Sequence, residues 1–144
     1  MFDRTVREVM KRRKLLKAAP EERVDRIAQR MAAKEVGAAL VVEGDRLLGI
    51  FTERDLLVRV VAKGLDPHDT RLADVMTPDP LAVDPDKPFG YALAVMHDKG
   101  FRHLPVVEDG KPVGVISSRS ALDPDLEEFT VETSRREHYE RMGG

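Results

Sequence analysis

The heptapeptides Gly49-Ile50-Phe51-Thr52-Glu53-Arg54-Asp55 and Gly114-Val115-Ile116-Ser117-Ser118-Arg119-Ser120 share one plan: a glycine, two apolar residues, a hydroxyl residue and, two positions on, an arginine. The offset that superposes them also superposes Pro20 on Pro85, Met31 on Met96, and Val41-Val42-Glu43 on Val106-Val107-Glu108. An internal repeat decides the architecture, because each copy is a unit that cannot bury its apolar face alone.

The apolar pattern repeats along with the identities. Val24, Ile27, Ala28 and Met31 fall at i, i+3, i+4, i+7, and so do Phe89, Ala92, Leu93 and Met96, which predicts two amphipathic helices. Asp84-Pro85 has the chemistry of a helix start, an N-cap followed by proline, while Ala19-Pro20 keeps only the proline. Each helix runs into a short apolar strand, Ala38–Val42 or His103–Val107, then a polar turn with glycine, then a second strand, Leu47–Phe51 or Pro112–Ile116. Further helices open after Thr52 and Ser117. Each unit is preceded by a short helical motif, Thr5–Met10 with a Thr-x-x-Glu capping box, and Thr70–Met76. A brief strand follows each motif, at Leu15–Ala18 and at Leu81–Val83.

Composition narrows the function. The 144 residues contain 24 Lys and Arg against 26 Asp and Glu, for a net charge of −2. A chain of this length buries roughly 70% of its unfolded surface without staples. It has no cysteine, which removes disulfides, cysteine-based zinc sites and thiol catalysis together. No apolar stretch reaches the length of a membrane span, and the start, Met1 to Lys14, is charged where a secretory signal is apolar. A cytoplasmic protein with no membrane partner is the expectation. The basic cluster Lys11, Arg12, Arg13, Lys14 and Lys17 reads as a solvated turn or as a nucleic-acid contact. With aromatics at 5% and no tryptophan, nucleic acid is the less expected partner. His68, His97, His103 and His138 share no metal-ligand spacing, and no G-x-S-x-G, P-loop or GxGxxG is present.

Two tandem units, each closing a strand with Gly-h-h-(Ser/Thr)-x-x-(Asp), resemble a pair of cystathionine-β-synthase (CBS) domains. Phe101-Arg102-His103-Leu104-Pro105-Val106-Val107 is similar to the strand before the turn in that family. The resemblance implies an α+β fold of two pseudo-symmetric repeats, residues 5–63 and 70–122, joined by a linker at 64–69. A charged tail, 123–144, is expected to be partly helical. It further implies a stand-alone, non-catalytic regulatory module with no catalytic cofactor. Such a module binds AMP, ADP or ATP in the cleft between its repeats and pairs as a homodimer. An unidentified protein partner would read its state.

Asp55 has the chemistry to accept two hydrogen bonds from a ribose diol, and Thr52 opens a helix whose free amides favour an anion. Thr52 and Asp55 also have capping-box spacing, which needs no ligand. The resemblance brings Arg102, His103 and Arg119 to the phosphate end from the other repeat. Read singly, His103 is equally a structural histidine and Arg119 a surface ion pair. Lys17, or Lys14, would extend the positive field, and Ala38 and Ile50 complete the expected contact set. Three cations in the cleft would disfavour S-adenosylmethionine, a cationic ligand of the family, relative to a nucleotide. In the pseudo-symmetric second site Ser120 replaces the aspartate, Gly37 and Ala38 replace Arg102 and His103, and only Arg54 remains for a phosphate. One competent site per chain is therefore expected. The rival reading is a dimerisation or protein-interaction module with no ligand.

Overall fold

The computed structural model describes residues 3–11 and 13–122. Arg12 of the basic cluster and the expected helical tail at 123–144 lie outside the described residues. The elements run α1 (Val6–Met10), β1 (Lys17–Ala18), α2 (Val24–Lys34), β2 (Ala38–Glu43), β3 (Arg46–Thr52) and α3 (Glu53–Asp55), which continues as a π-helix, Leu56–Val61. After the linker come α4 (Leu72–Val75), β4 (Thr77–Pro78), α5 (Phe89–Lys99), β5 (His103–Glu108), β6 (Lys111–Ser117) and a 3-10 turn, Ser118–Leu122. One sheet has the order β1-β2-β3-β4; the other is the hairpin β5-β6. The expected strand at Leu81–Val83 is reduced to a parallel bridge between Val83 and Val106, in the place β1 holds beside β2.

The hairpins are built alike. Ala38 pairs with Thr52 and His103 with Ser117, and both register slips fall at the same point, between Val41 and Val42 and between Val106 and Val107. Alternation along the strands sends side chains to two destinations. Ala39, Val41 and Phe51 enter a core with Ile27, Met31 and Val60, whereas Ala38, Leu40 and Ile50 join Val115 of the other repeat in a separate cluster. Leu104, Val106 and Ile116 fill the second core with Phe89, Ala92 and Met96. Both faces of the central strands are covered. That is why β2 reads as a continuous apolar run.

The leading helices cross over. Val6 and Val9 of α1 pack in the second core, and Leu72 and Val75 of α4 pack in the first. Residue ranges drawn on the sequence repeat therefore cut across the packing units. The crossing also explains why the Asp84-Pro85 helix start is not used: α5 begins at Phe89, with Pro88 at its N-cap and no side-chain cap. The carbonyls of Pro85 and Lys87 accept from Arg7 N and Val6 N, each at 2.8 Å, and so satisfy free amides at the start of α1. Pro20 and Glu22 do the same for Ala73 and Leu72 of α4, at 3.0 and 2.9 Å. A helix begun at either proline would withdraw those acceptors. Asp84 Oδ1 instead accepts from Asp86 N within the turn, at 2.8 Å.

The motif glycines are explained by the same crossing. A Cβ on Gly49 would lie 2.5 Å from Met76 Sδ, and one on Gly114 would lie 2.8 Å from Met10 Sδ. Each methionine ends the short helix from the other repeat and lies across the strand where glycine leaves room.

Candidate functional site

A cleft of about 980 Å³ opens where β3 ends, on the β4 side of the four-stranded sheet. One wall is Ile50, Thr52–Asp55, Leu57 and Val58; the other is Thr77, Asp79–Leu81, Lys99–His103 and Pro105. The two repeats thus supply opposite walls.

Five of the eight residues singled out from sequence line this cleft: Ile50, Thr52, Asp55, Arg102 and His103. Lys17 does not, because β1 is at the far edge of the sheet from β4. Lys14 donates to Lys34 O at 3.2 Å, at the C-terminal end of α2. Ala38 is buried in the apolar cluster with Leu40, Ile50 and Val115 and is not a lining residue. Arg119 is exposed on the 3-10 turn and is not a lining residue, yet its charge is felt at His103. Arg54, assigned from sequence to the second site, lines this cleft instead. Ser120, in the aspartate's place in the second repeat, is wholly buried, and its hydroxyl has no partner among the described residues.

Asp55 makes the capping box in full. Its Oδ2 accepts from Thr52 N at 2.9 Å and from Thr52 Oγ1 at 3.2 Å, while Asp55 N donates back to Thr52 Oγ1 at 3.2 Å. These bonds use one carboxylate oxygen. The other, Oδ1, is 3.5 Å from Arg59 Nε, an ion-pair distance that leaves acceptor capacity for a ligand. The side chain is only 12% exposed, so anything bonded to it is shielded from water.

His103 opens β5 and is half-buried over Gly37. A Cβ on Gly37 would lie 3.0 Å from His103 Nε2 and 3.1 Å from Glu53 Oε1. Burial holds the His103 pKa below its ordinary 6.5; Glu53 and Asp55 pull it up, and Arg102 and Arg119 push it further down. At neutral pH the ring is therefore a neutral hydrogen-bonding group. The expectation of three cations is corrected to two arginines and an imidazole.

The lining is also more balanced than the sequence suggested. Glu53, Asp55 and Asp79 face Arg54, Lys99 and Arg102 within it. The argument that positive charge alone disfavours S-adenosylmethionine loses its basis, since the acidic lining residues were left out of it.

Sequence reasoning missed the apolar wall. Leu57 is 61% exposed, Val58 48%, Leu81 47% and Phe101 41%, and all four line the cleft. A signal was present in Leu56-Leu57-Val58, since three consecutive apolar residues on a helix cannot all face one core. The π-helical turns, with Ala62 N donating to Leu57 O at 2.9 Å, carry Leu57 and Val58 on that wall. Phe101 is fixed by the end of α5: Gly100 takes φ 74° and Phe101 N donates to Met96 O at 2.8 Å, closing a Schellman-type cap. Among the described residues, no group of three or more His, Asp or Glu is placed to hold a metal ion. No described helix is long and apolar enough to cross a membrane.

Comparison with known sequences decides the family. The CBS domain profile matches twice in tandem, over residues 6–62 and 72–124. The chain belongs to the CBS domain family. An uncharacterised protein of Methanopyrus kandleri is 34% identical over 88% of this chain and 64% of its own length. A CBS domain-containing protein of Arabidopsis thaliana is 40% identical over 72% of this chain but only 19% of its own. The chain thus spans less than two thirds of the length of these relatives. Among solved structures, a putative signal-transduction protein with CBS domains from Burkholderia ambifaria superposes with a TM-score of 0.78 at 30% identity, covering 90% of this chain and 96% of that one. A CBS domain protein from Pyrobaculum aerophilum, complexed with AMP, superposes with a TM-score of 0.77 at 26% identity, covering 90% and 99%.

Proposed function

We propose that this CBS pair is a non-catalytic sensor module that binds one adenosine nucleotide, AMP, ADP or ATP, in the cleft between its repeats. The observation that carries the reading is that one cleft, lined by both repeats, gathers a shielded carboxylate, exposed apolar side chains and an arginine beside an imidazole. Asp55 is a shielded acceptor for the ribose diol, and Leu57, Val58, Leu81 and Phe101 offer apolar surface to the base. Arg102, next to His103, is the cation for phosphate, and Arg119 is near enough for its charge to act on His103. The AMP complex of the Pyrobaculum protein supports the same choice of ligand. Because the ligand touches both walls, its binding biases the angle between the repeats, and a partner reads that angle. Leu57, Val61 and Leu65 are exposed on and after the π-helix and favour a homodimer.

A thermal shift with AMP, ADP, ATP and S-adenosylmethionine tests this reading on wild type and Asp55→Ala. A nucleotide at a hundred times its dissociation constant adds about 2.7 kcal/mol, a rise of several degrees. The reading requires that rise in wild type and its loss in Asp55→Ala, each measured against the ligand-free protein. A flat response to every nucleotide removes it. The rival, an interaction module without ligand, is favoured by one observation: the Thr52–Asp55 capping box is complete within the protein alone. Under that reading Asp55→Ala costs only the helix cap.

A further inference from the structure

The cleft holds an anion close to His103. Glu53 follows the helix-capping Thr52 and is the first residue of α3, with its backbone N donating to Gly37 O at 3.0 Å. Its side chain is not needed for the cap, which Thr52 and Asp55 complete between them. Glu53 lines the cleft, and its carboxylate converges with His103 Nε2 over the Gly37 Cα, each about 3 Å from where a Cβ would be. Glycine at 37 permits the approach, because any side chain there would separate the two groups.

We propose that Glu53 sets the number of phosphates this site accepts. The inference rests on the nucleotide reading above and deepens it. Arg102, with Arg119 nearby, supplies the positive charge for a phosphate beside His103. A ligand held there lies against the Glu53 carboxylate as well. A monophosphate brings enough negative charge to satisfy the arginines. Each further phosphate adds charge near Glu53, so repulsion grows with the phosphate chain. Arg54, the next residue of α3, and Lys99 are the remaining lining cations and offset part of it. Wild type should therefore rank AMP above ADP and ADP above ATP.

The test is titration calorimetry of adenosine, AMP, ADP and ATP on wild type, Glu53→Gln and Glu53→Asp. Magnesium is left out, and the pH is 8, where the His103 ring is neutral and its own titration does not intrude. Removing one carboxylate several ångströms from the phosphates should tighten binding by about twofold per ligand charge in a water-like medium. The gain in Glu53→Gln should thus rise from AMP to ATP, with adenosine unchanged and Glu53→Asp keeping the wild-type ranking. Nucleotide binding that Glu53→Gln leaves unaltered, or alters equally for adenosine, overturns the role of Glu53 and leaves the nucleotide site standing. Failure of every nucleotide to bind wild type and variants alike overturns both.

Discussion

The two repeats share a backbone plan and differ in what they do with it. Each has the same hairpin register, the same register slip and the same glycine beneath a methionine from the other repeat. After the second strand they part. The first repeat continues through a complete capping box into π-helical turns that bring Asp55, Leu57 and Val58 to an open cleft. The second turns into a 3-10 helix in which Ser120 is buried, its hydroxyl unpaired among the described residues. Before the first strand the contrast is reversed: Arg102 and His103 stand where the first repeat has Gly37 and Ala38. These unlike features of the two repeats thus line one cleft. Symmetry builds the scaffold, and the cleft forms where the symmetry fails.

The largest effects should come from breaking what the repeats have in common. Truncating Phe51 or Phe89, each fully buried in a different core, should cost about 3–5 kcal/mol. Because each core holds a helix from the other sequence repeat, denaturant unfolding of either variant should remain a single transition. Two separable transitions would show that the crossed helices do not couple the cores.

The glycines sharpen the comparison. At Gly49 an added methyl meets Met76 Sδ at 2.5 Å and also the backbone Thr77 O at 2.9 Å, whereas at Gly114 the close atoms all belong to the flexible Met10 side chain. Gly49→Ala should therefore lose about 1–3 kcal/mol, and Gly114→Ala clearly less, as read by melting temperature. Equal losses would contradict the contact asymmetry.

His103 distinguishes the repeats by pH. Its folded-state pKa lies below 6.5, so the unfolded chain takes up the proton first as pH falls. Stability should drop through the window from 6.5 down to the folded-state value, and His103→Gln should lose that component. Nuclear magnetic resonance titration of the ring should place its midpoint below 6.5. A midpoint above it would mean that the acidic neighbours, Glu53 and Asp55, outweigh burial.

The smallest effect concerns the ends of α2 and α5. Gly100 ends α5 at φ 74°, while Glu35 holds the same left-handed position after α2 at φ 57°. Glu35→Gly should relieve the strain and stabilise by up to about 1 kcal/mol. A loss of stability would show that the Glu35 side chain holds its place by contacts that outweigh the backbone cost.

Much of this was legible in the sequence because it depends on short-range pattern. The helices α2 and α5, both hairpins and the Thr5 cap follow from apolar spacing and local hydrogen bonding. The helix start at Asp84-Pro85 was misread because its competitor is long-range: the carbonyls of that turn are taken by α1, far away in sequence. The crossing of α1 and α4 left no mark in the pattern, since an apolar face does not state which core it enters. At the site, the chemistry of Asp55, Arg102 and His103 could be read from motif and repeat. The anions Glu53 and Asp79 were passed over because, Asp55 apart, only cations were sought, and Lys17 was expected at the cleft although strand order puts β1 at the far edge of the sheet.

The most direct test of the central claim is a two-dimensional amide titration of the isotope-labelled protein with AMP. One cleft per chain, assembled from both repeats, predicts saturation at one equivalent. Shifts should concentrate at Thr52–Val58 and at Phe101–His103, with the amides around Ser120 little changed. Saturation at two equivalents, shifts centred on Ser120, or no shift at all would contradict it.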